Sequence, residues 1–245
     1  MKKALSILTA VVLFLLLPLS VSQADGYSTF WDSESQFYRY EGQVHYGIVI
    51  CTRMNVRKKA STSSSALGSI RNGQPVKILG TSQKGDFYVL DLESCGIRNS
   101  SAEFGFAKTS LIKVDPEFIA ASRLLNLYAT PWGDGLKNGE QSNRFFLVIS
   151  QNNNWYAVQT TESYAGTSFI RTSDITPVRQ TRYLVTWDAP LYDENTMSRM
   201  QTIERYTIGY RVAVRGDYSL LLFNRDEPDE FRAMIPNQYI APLLN

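Results

Sequence analysis

The chain has 245 residues, of which 44% are hydrophobic and 20% are charged, as in an ordinary folded globular protein. Its 25 basic and 23 acidic residues give a formal net charge of +2, which provides no general attraction for nucleic acid or an anionic membrane surface. The 14 Tyr, 12 Phe and 4 Trp are many aromatic residues, and aromatic side chains favour β-strands.

The first 24 residues have the organisation of a secretory signal peptide. Lys2 and Lys3 precede an apolar run from Leu5 to Leu19, and small residues at positions 22 and 24 suit a signal peptidase. We expect cleavage after Ala24. An uncleaved membrane anchor is the alternative, but the run is short for a membrane span and Pro18 ends it. Cleavage would leave 23 basic and 23 acidic residues in a periplasmic or secreted protein without a stable membrane anchor.

Residues 25–45 form an aromatic-rich leader without clear periodicity, which we expect to dock onto the unit that follows. Beyond it, short strand-like runs alternate with clusters of Gly, Asn and Asp, the pattern of an all-β protein built from hairpins. Only Asp115 to Leu125 looks helical, and we interpret this segment as a linker between two units.

Three landmarks recur in the same order at intervals of about 60–70 residues, which indicates an internal repeat. They are an apolar opening, a polar turn followed by aromatic residues, and an ending with the frame aromatic, apolar, basic, Thr, Ser, any, Ile. The openings are residues 54–57, 125–128 and 185–188, the turns are 85–88, 153–156 and 216–218, and the endings are 104–112, 167–175 and 233–240. The third ending keeps the frame only loosely.

The first repeat resembles the bacterial SH3 (SH3b) domain. The resemblance rests on Met54-Asn55-Val56-Arg57, on Ser63 to Ile70, on Asn72 to Leu79, on Phe87 to Leu90 and on Gly105-Phe106-Ala107. It implies about three tandem small SH3-like barrels, over residues 46–114, 122–178 and 182–243, with the match weakening along the chain. Phe87 stands where the family usually has Trp, and Ala107 replaces Val.

The two cysteines, Cys51 and Cys95, both fall in the first repeat. A disulfide can persist in an oxidising compartment, and this one would close a loop of about 45 residues, worth roughly 4 kcal/mol in the chain-entropy model. Two free buried thiols are the alternative, because the sequence does not supply the Cα separation.

The residues offer no set of catalytic groups. His45 is the single histidine, and although Cys51 is near it in sequence, the surroundings of Cys51 do not resemble a cysteine-peptidase site. SH3b domains often accompany peptidoglycan hydrolases, but the repeats leave no segment for a catalytic domain. Metal-ligand spacings and phosphate-binding glycine loops are absent from the sequence. We therefore expect a protein that is not an enzyme and has no metal or cofactor.

Aromatic side chains are the candidates for ligand binding, because a ring that is exposed on one side can stack on a sugar or a peptide. The repeat places five of them at equivalent positions, and strand alternation predicts that only one of each adjacent pair faces outward: Phe87, Tyr88, Trp155, Tyr156 and Tyr218. Trp132 lies in the opening turn of the second repeat, where we expect it to be exposed.

The function predicted from this resemblance is that of a non-catalytic exported envelope protein whose SH3b repeats bind cell-wall peptide or glycan. The alternative is a protein–protein adaptor, or an inhibitor or immunity-type protein that acts on an envelope protein. Neither the repeats nor the balanced charge distinguishes these two.

Overall fold

The computed structural model describes residues 27–42, 44–98, 101–121, 125–133, 144–160, 166–176 and 182–245. The predicted signal peptide, residues 1–24, lies outside the described residues. Within them, the strands form three sheets of nine, four and seven strands, and the prediction of an all-β protein is confirmed. No helix in this part of the chain has the length and apolar character that a membrane span requires.

The first unit is the nine-stranded sheet. Its strands are β1 (Thr29–Asp32), β2 (Phe37–Tyr40), β3 (His45–Val49), β4 (Arg53–Arg57), β5 (Ala66–Arg71), β6 (Pro75–Thr81), β7 (Phe87–Asp91), β8 (Phe104–Lys108) and β9 (Ile112–Val114). They are ordered β1-β2-β6-β7-β8-β4-β5, and β3 pairs with both β6 and β9. Buried apolar residues of strands β3 to β9, including Val56 and Leu90, form one core.

The second unit is the four-stranded sheet, in the order β10 (Phe118–Ala121), β11 (Arg144–Gln151), β12 (Trp155–Thr160) and β13 (Ser168–Arg171). The helical linker expected at 115–125 is wrong over 118–121, because these residues are β10. All four residues of β10 are buried, and the strand pairs antiparallel with β11. Burial on both faces removes the alternation that normally marks a strand in a sequence.

The third unit is the seven-stranded sheet. Its strands are β14 (Arg182–Val185), β15 (Ala189–Tyr192), β16 (Arg199–Ile203), β17 (Ile208–Arg215), β18 (Tyr218–Phe223), β19 (Phe231–Pro236) and β20 (Ile240–Pro242). They are ordered β16-β15-β19-β18-β17-β14-β20. Strands β3 to β9 of the first unit follow the same order, β5-β4-β8-β7-β6-β3-β9. The third unit, which has the weakest sequence match, therefore has the topology of the first unit, which has the strongest.

The recurring landmarks form the same local structure in each unit. Each ending is a strand followed by a 3₁₀ turn, at Thr109–Leu111, Thr172–Asp174 and Asn237–Tyr239. The first N–H of each 3₁₀ turn donates to the last residue of the polar turn, Asp86, Asn154 or Asp217, at 3.2, 2.9 and 2.8 Å. The two strands that flank each polar turn pair with each other, as β6–β7, β11–β12 and β17–β18, and each pairing contains one register shift.

The predicted leader, residues 25–45, contains the hairpin of β1 and β2. Strand β2 pairs with the edge of β6, where Tyr38 is opposite Thr81 and Arg39 is opposite Gly80. Phe37, which is fully buried, packs in a second cluster of the first unit with Phe87, Val89 and Phe106. Since Tyr88 and Leu90 face the first core, this hairpin covers the opposite face of β7.

A further core joins the three units. Its buried residues include Ile48 from the first unit, Phe118 and Leu147 from the second, and Leu184 and Leu243 from the third. The end of the chain strengthens this junction: the Asn245 side chain bonds both the N–H and the carbonyl of Ala120, at 2.8 and 2.7 Å. The units therefore have cores of their own and also share buried apolar surface, which adds to the little that a small barrel can bury alone.

Candidate functional site

Trp132 and Trp155 come together in the second unit. They line one cleft of about 510 Å³ with Pro131 and the polar turn at residues 152–154, which we name the tryptophan cleft. The side chain of Trp132 is 79% exposed, whereas Trp155 is half-buried at the start of β12. The expected exposure of Trp132 is therefore found, and its neighbour is the outward member of the pair Trp155–Tyr156.

Local hydrogen bonds fix the two segments that carry these rings. The Asn152 side-chain oxygen accepts the N–H groups of Asn154 and Trp155, both at 2.9 Å, so the turn is held by its own side chain. Gly133, at a φ of 84°, closes the other segment by donating to the Thr130 carbonyl at 3.2 Å. A residue with a Cβ would be strained at that φ.

The Trp155 ring contacts the side chains of Tyr128 and Arg171. The Tyr128 and Trp155 rings meet edge to face, with centroids 5.1 Å apart. The Arg171 guanidinium lies 5.0 Å from the Tyr128 ring centroid and 5.5 Å from that of Trp155, within the range of a cation–π contact. Arg171 was not among the predicted binding residues, although it occupies the basic position of the repeated ending.

This arrangement suits a ligand with both flat apolar faces and hydroxyl groups. An exposed indole presents a wide apolar face with one N–H donor at its edge. The three consecutive amide side chains of residues 152–154 are exposed beside it and supply donors and acceptors. The described residues that line the cleft are aromatic, amide and proline side chains, which are groups suited to binding.

Three of the predicted binding residues are buried and cannot stack on a ligand. Phe87 and Tyr88 are 3% and 4% exposed, because Tyr88 faces the core of the first unit and the β1–β2 hairpin covers Phe87. The expectation that one of this pair faces outward is wrong for that reason. Tyr156 is 8% exposed in the core of the second unit, as the inward partner of Trp155.

Tyr218 is half-buried and lines a different cleft, of about 440 Å³, between the first and third units. Its ring lies edge to face with Tyr192, with centroids 5.7 Å apart. Burial, with Tyr192 and Asp217 nearby, raises the pKa of the Tyr218 hydroxyl. Asp217 pairs with Lys77 of the first unit at 3.1 Å, so this part of the third unit faces its neighbour.

The cysteines are free thiols in the structure, so the predicted disulfide is not formed and the alternative of two free thiols holds. Cys95 is buried in the first core and Cys51 packs against the same core, half-buried. Burial raises the pKa of the Cys95 thiol to about 12 and also raises that of Cys51. Both thiols therefore act as apolar core groups and are poor nucleophiles.

His45, the histidine near Cys51 in sequence, is buried. Its Nδ1 lies 3.0 Å from the Asp115 carboxylate, which also accepts the Tyr27 hydroxyl at 2.5 Å. The ring sits between Tyr27 and Tyr40, at centroid distances of 3.8 and 4.8 Å. Among the described residues, no group of three or more His, Cys, Asp or Glu side chains could hold a metal ion.

Comparison with known proteins gives one family match. No curated protein matches the chain. Among solved structures, it is similar to NlpC1 from Trichomonas vaginalis, at 9% identity over 92% of this chain and 99% of that chain, with a TM-score of 0.23. NlpC2 from the same organism gives 9% identity over 81% and 98% of the two chains, and again a TM-score of 0.23. Scores this low carry no argument about fold or function.

The family model that matches is that of the bacterial SH3 domain, over residues 52–108. This stretch runs from β4 through β8 and contains the opening, the turn and most of the ending that suggested the resemblance. The match confirms that the first repeat, over residues 52–108, is similar to the bacterial SH3 domain.

Proposed function

We propose that the protein is a non-catalytic, exported component of a bacterial envelope that binds cell-wall glycan in the tryptophan cleft. The observation that carries the proposal is the meeting of an exposed Trp132 and a braced Trp155 beside three exposed amide side chains. The bacterial SH3 match supports the extracytoplasmic setting, since domains of this family generally bind cell-wall components.

Sugar rings fit this cleft better than a flexible apolar ligand does. A pyranose presents C–H groups on its faces and hydroxyl groups at its rim, so the faces can stack on indole while the rim bonds the amides of residues 152–154. A volume of about 510 Å³ accommodates two sugar rings at most. Because Trp155 is already held by Tyr128 and Arg171, little side-chain entropy is lost there on binding.

The test is retention of the mature protein on purified peptidoglycan, followed by titration with a soluble chito-oligosaccharide. We expect Trp132→Ala to weaken binding about 30-fold, since an aromatic anchor in a binding cleft contributes on the order of 2 kcal/mol. Trp132 is exposed and packs in no core, so the variant should fold normally. Emission of the exposed indole should also change when the sugar covers it.

Phe30→Ala is the matched control, because Phe30 is a 44%-exposed aromatic residue of β1, far from the cleft in sequence and in a different unit. It should bind as the wild type does. No retention of the wild type, or equal retention of the Trp132 variant, would remove the cleft as a glycan site. Stoichiometric co-purification of an envelope protein in place of peptidoglycan would favour the adaptor alternative.

A further inference from the structure

A second pocket, of about 470 Å³, lies in the first unit and has a different chemistry from the tryptophan cleft. Four segments line it: the β1–β2 turn, the loop after β4, the turn between β6 and β7, and strand β8. The side chains that matter are Gln36, Lys58, Lys59, Lys84, Phe104 and Phe106. We name this cavity the lysine pocket.

The lysine pocket carries an excess of positive charge. Lys58, Lys59 and Lys84 are all exposed, and in the described part of the chain no carboxylate lies within 4 Å of any of their ammonium groups. The single acid in the lining, Asp86, accepts the Ser82 hydroxyl at 3.0 Å. Three cations against one anion is a local excess in a chain whose total charge is nearly balanced.

The floor of the pocket is aromatic. Phe104 is half-buried and lies edge to face with Phe37 and with Phe106, at centroid distances of 5.2 and 5.9 Å. This contact holds the floor to the buried cluster beneath it. The pocket therefore offers an apolar surface for one side chain, with ammonium groups at its rim for an anion.

One wall is supplied by the β1–β2 hairpin, which lies outside the stretch 52–108 that matches the bacterial SH3 domain. The turn that carries Gln36 is well fixed: Gln36 has a φ of 60°, and its N–H donates to the Asp32 carbonyl at 2.8 Å. The Asp32 carboxylate accepts the N–H groups of Glu34 and Ser35 and pairs with Arg39 at 3.0 Å. The pocket is thus a feature of this chain and not of the matched domain alone.

We propose that the lysine pocket binds a peptide through its carboxylate, with a neighbouring apolar side chain on the phenylalanine floor. This proposal takes from the proposed function only the location of the protein in the envelope, where it would meet the peptide. The site itself is separate from the tryptophan cleft. A peptide is favoured over a phosphate polymer because the pocket has an apolar floor and a limited volume of about 470 Å³. A polyanion would need an extended basic track along the surface.

The experiment measures binding of the peptide acetyl-Glu-Ala-Phe, with a free C-terminus, and of its uncharged counterpart acetyl-Gln-Ala-Phe-amide, by isothermal titration calorimetry. We expect the charged peptide to bind at least tenfold more tightly and to weaken as salt rises. The triple variant K58Q/K59Q/K84Q should lose at least tenfold in affinity. These side chains are exposed, so an unchanged melting temperature would verify its fold.

Lys108→Gln is the matched control, since Lys108 is an exposed lysine of β8 outside the pocket lining, and it should bind as the wild type does. Trp132→Ala should also keep the peptide affinity, which separates this site from the glycan site. Equal binding of the two peptides, wild-type affinity in the triple variant, or tighter binding of inorganic polyphosphate than of the peptide would each overturn the proposal.

Discussion

Replacing Gly80 by alanine tests whether the β1–β2 hairpin is an integral part of the first unit. Gly80 lies on β6 opposite Arg39 of β2. A Cβ at this position would lie 2.0 Å from the Tyr38 carbonyl oxygen and 2.9 Å from the Arg39 Cα. Both are backbone atoms, so no side-chain rotation relieves the clash and the two strands must separate.

Separation of β2 from β6 would expose Phe37, which has no exposed surface in the fold. Loss of a buried phenylalanine costs about 3 to 5 kcal/mol. Detachment of the hairpin also uncovers Phe87 and Val89. We therefore expect Gly80→Ala to lower the free energy of unfolding of the first unit by about 3 kcal/mol or more.

Hydrogen exchange followed by mass spectrometry would read this effect locally, because the units need not unfold together. Amides of residues 29–40 should lose protection in Gly80→Ala while those of β14 to β20 keep it. Gly96→Ala is the control: Gly96 has open space around its Cβ position and a φ of 71°, so only backbone strain of about 1 kcal/mol is expected. Full protection of the hairpin in Gly80→Ala would refute the reasoning.

Two further predictions concern the cores. Burial raises the pKa of Cys95 to about 12, so this thiol should resist iodoacetamide at pH 8 in the folded protein. After denaturation, Ellman's reagent should count two thiols per chain. A count of zero would show that the disulfide forms. Phe118→Ala should cost about 3 to 5 kcal/mol and split the calorimetric unfolding transition, since Phe118 is 1% exposed in the core that joins the units. A single unshifted transition would contradict that role.

Local features were predictable from the sequence because short stretches of chain determine them. The polar turns and the 3₁₀ endings recur wherever the landmarks recur, down to the hydrogen bond that joins them. Trp132 was predicted to be exposed because it follows Pro131 in a turn, and a turn of polar and small residues has no core face. The two tryptophans of the cleft were thus predicted as binding residues from the sequence, but their meeting in one cleft was not.

Contacts between segments that are far apart in the sequence were not predictable in this way. Strand alternation states which side of β7 Phe87 faces, but not that Phe37, fifty residues earlier, covers that side. Likewise β10 carries apolar residues on both faces because one face packs in the core of its own unit and the other packs against the first and third units, and so its strand period is hidden. The lysine pocket gathers four distant segments, and no spacing along the chain signals such a meeting.

Most strands, the turns, the repeat and the similarity of residues 52–108 to the bacterial SH3 domain follow from the sequence alone, because backbone preference and hydrophobic pattern act over a few neighbouring residues. Which aromatic rings remain accessible to a ligand depends on the packing of the units. Burial depends on what packs against a surface, and at Phe87 and Tyr218 the neighbour comes from a remote part of the chain.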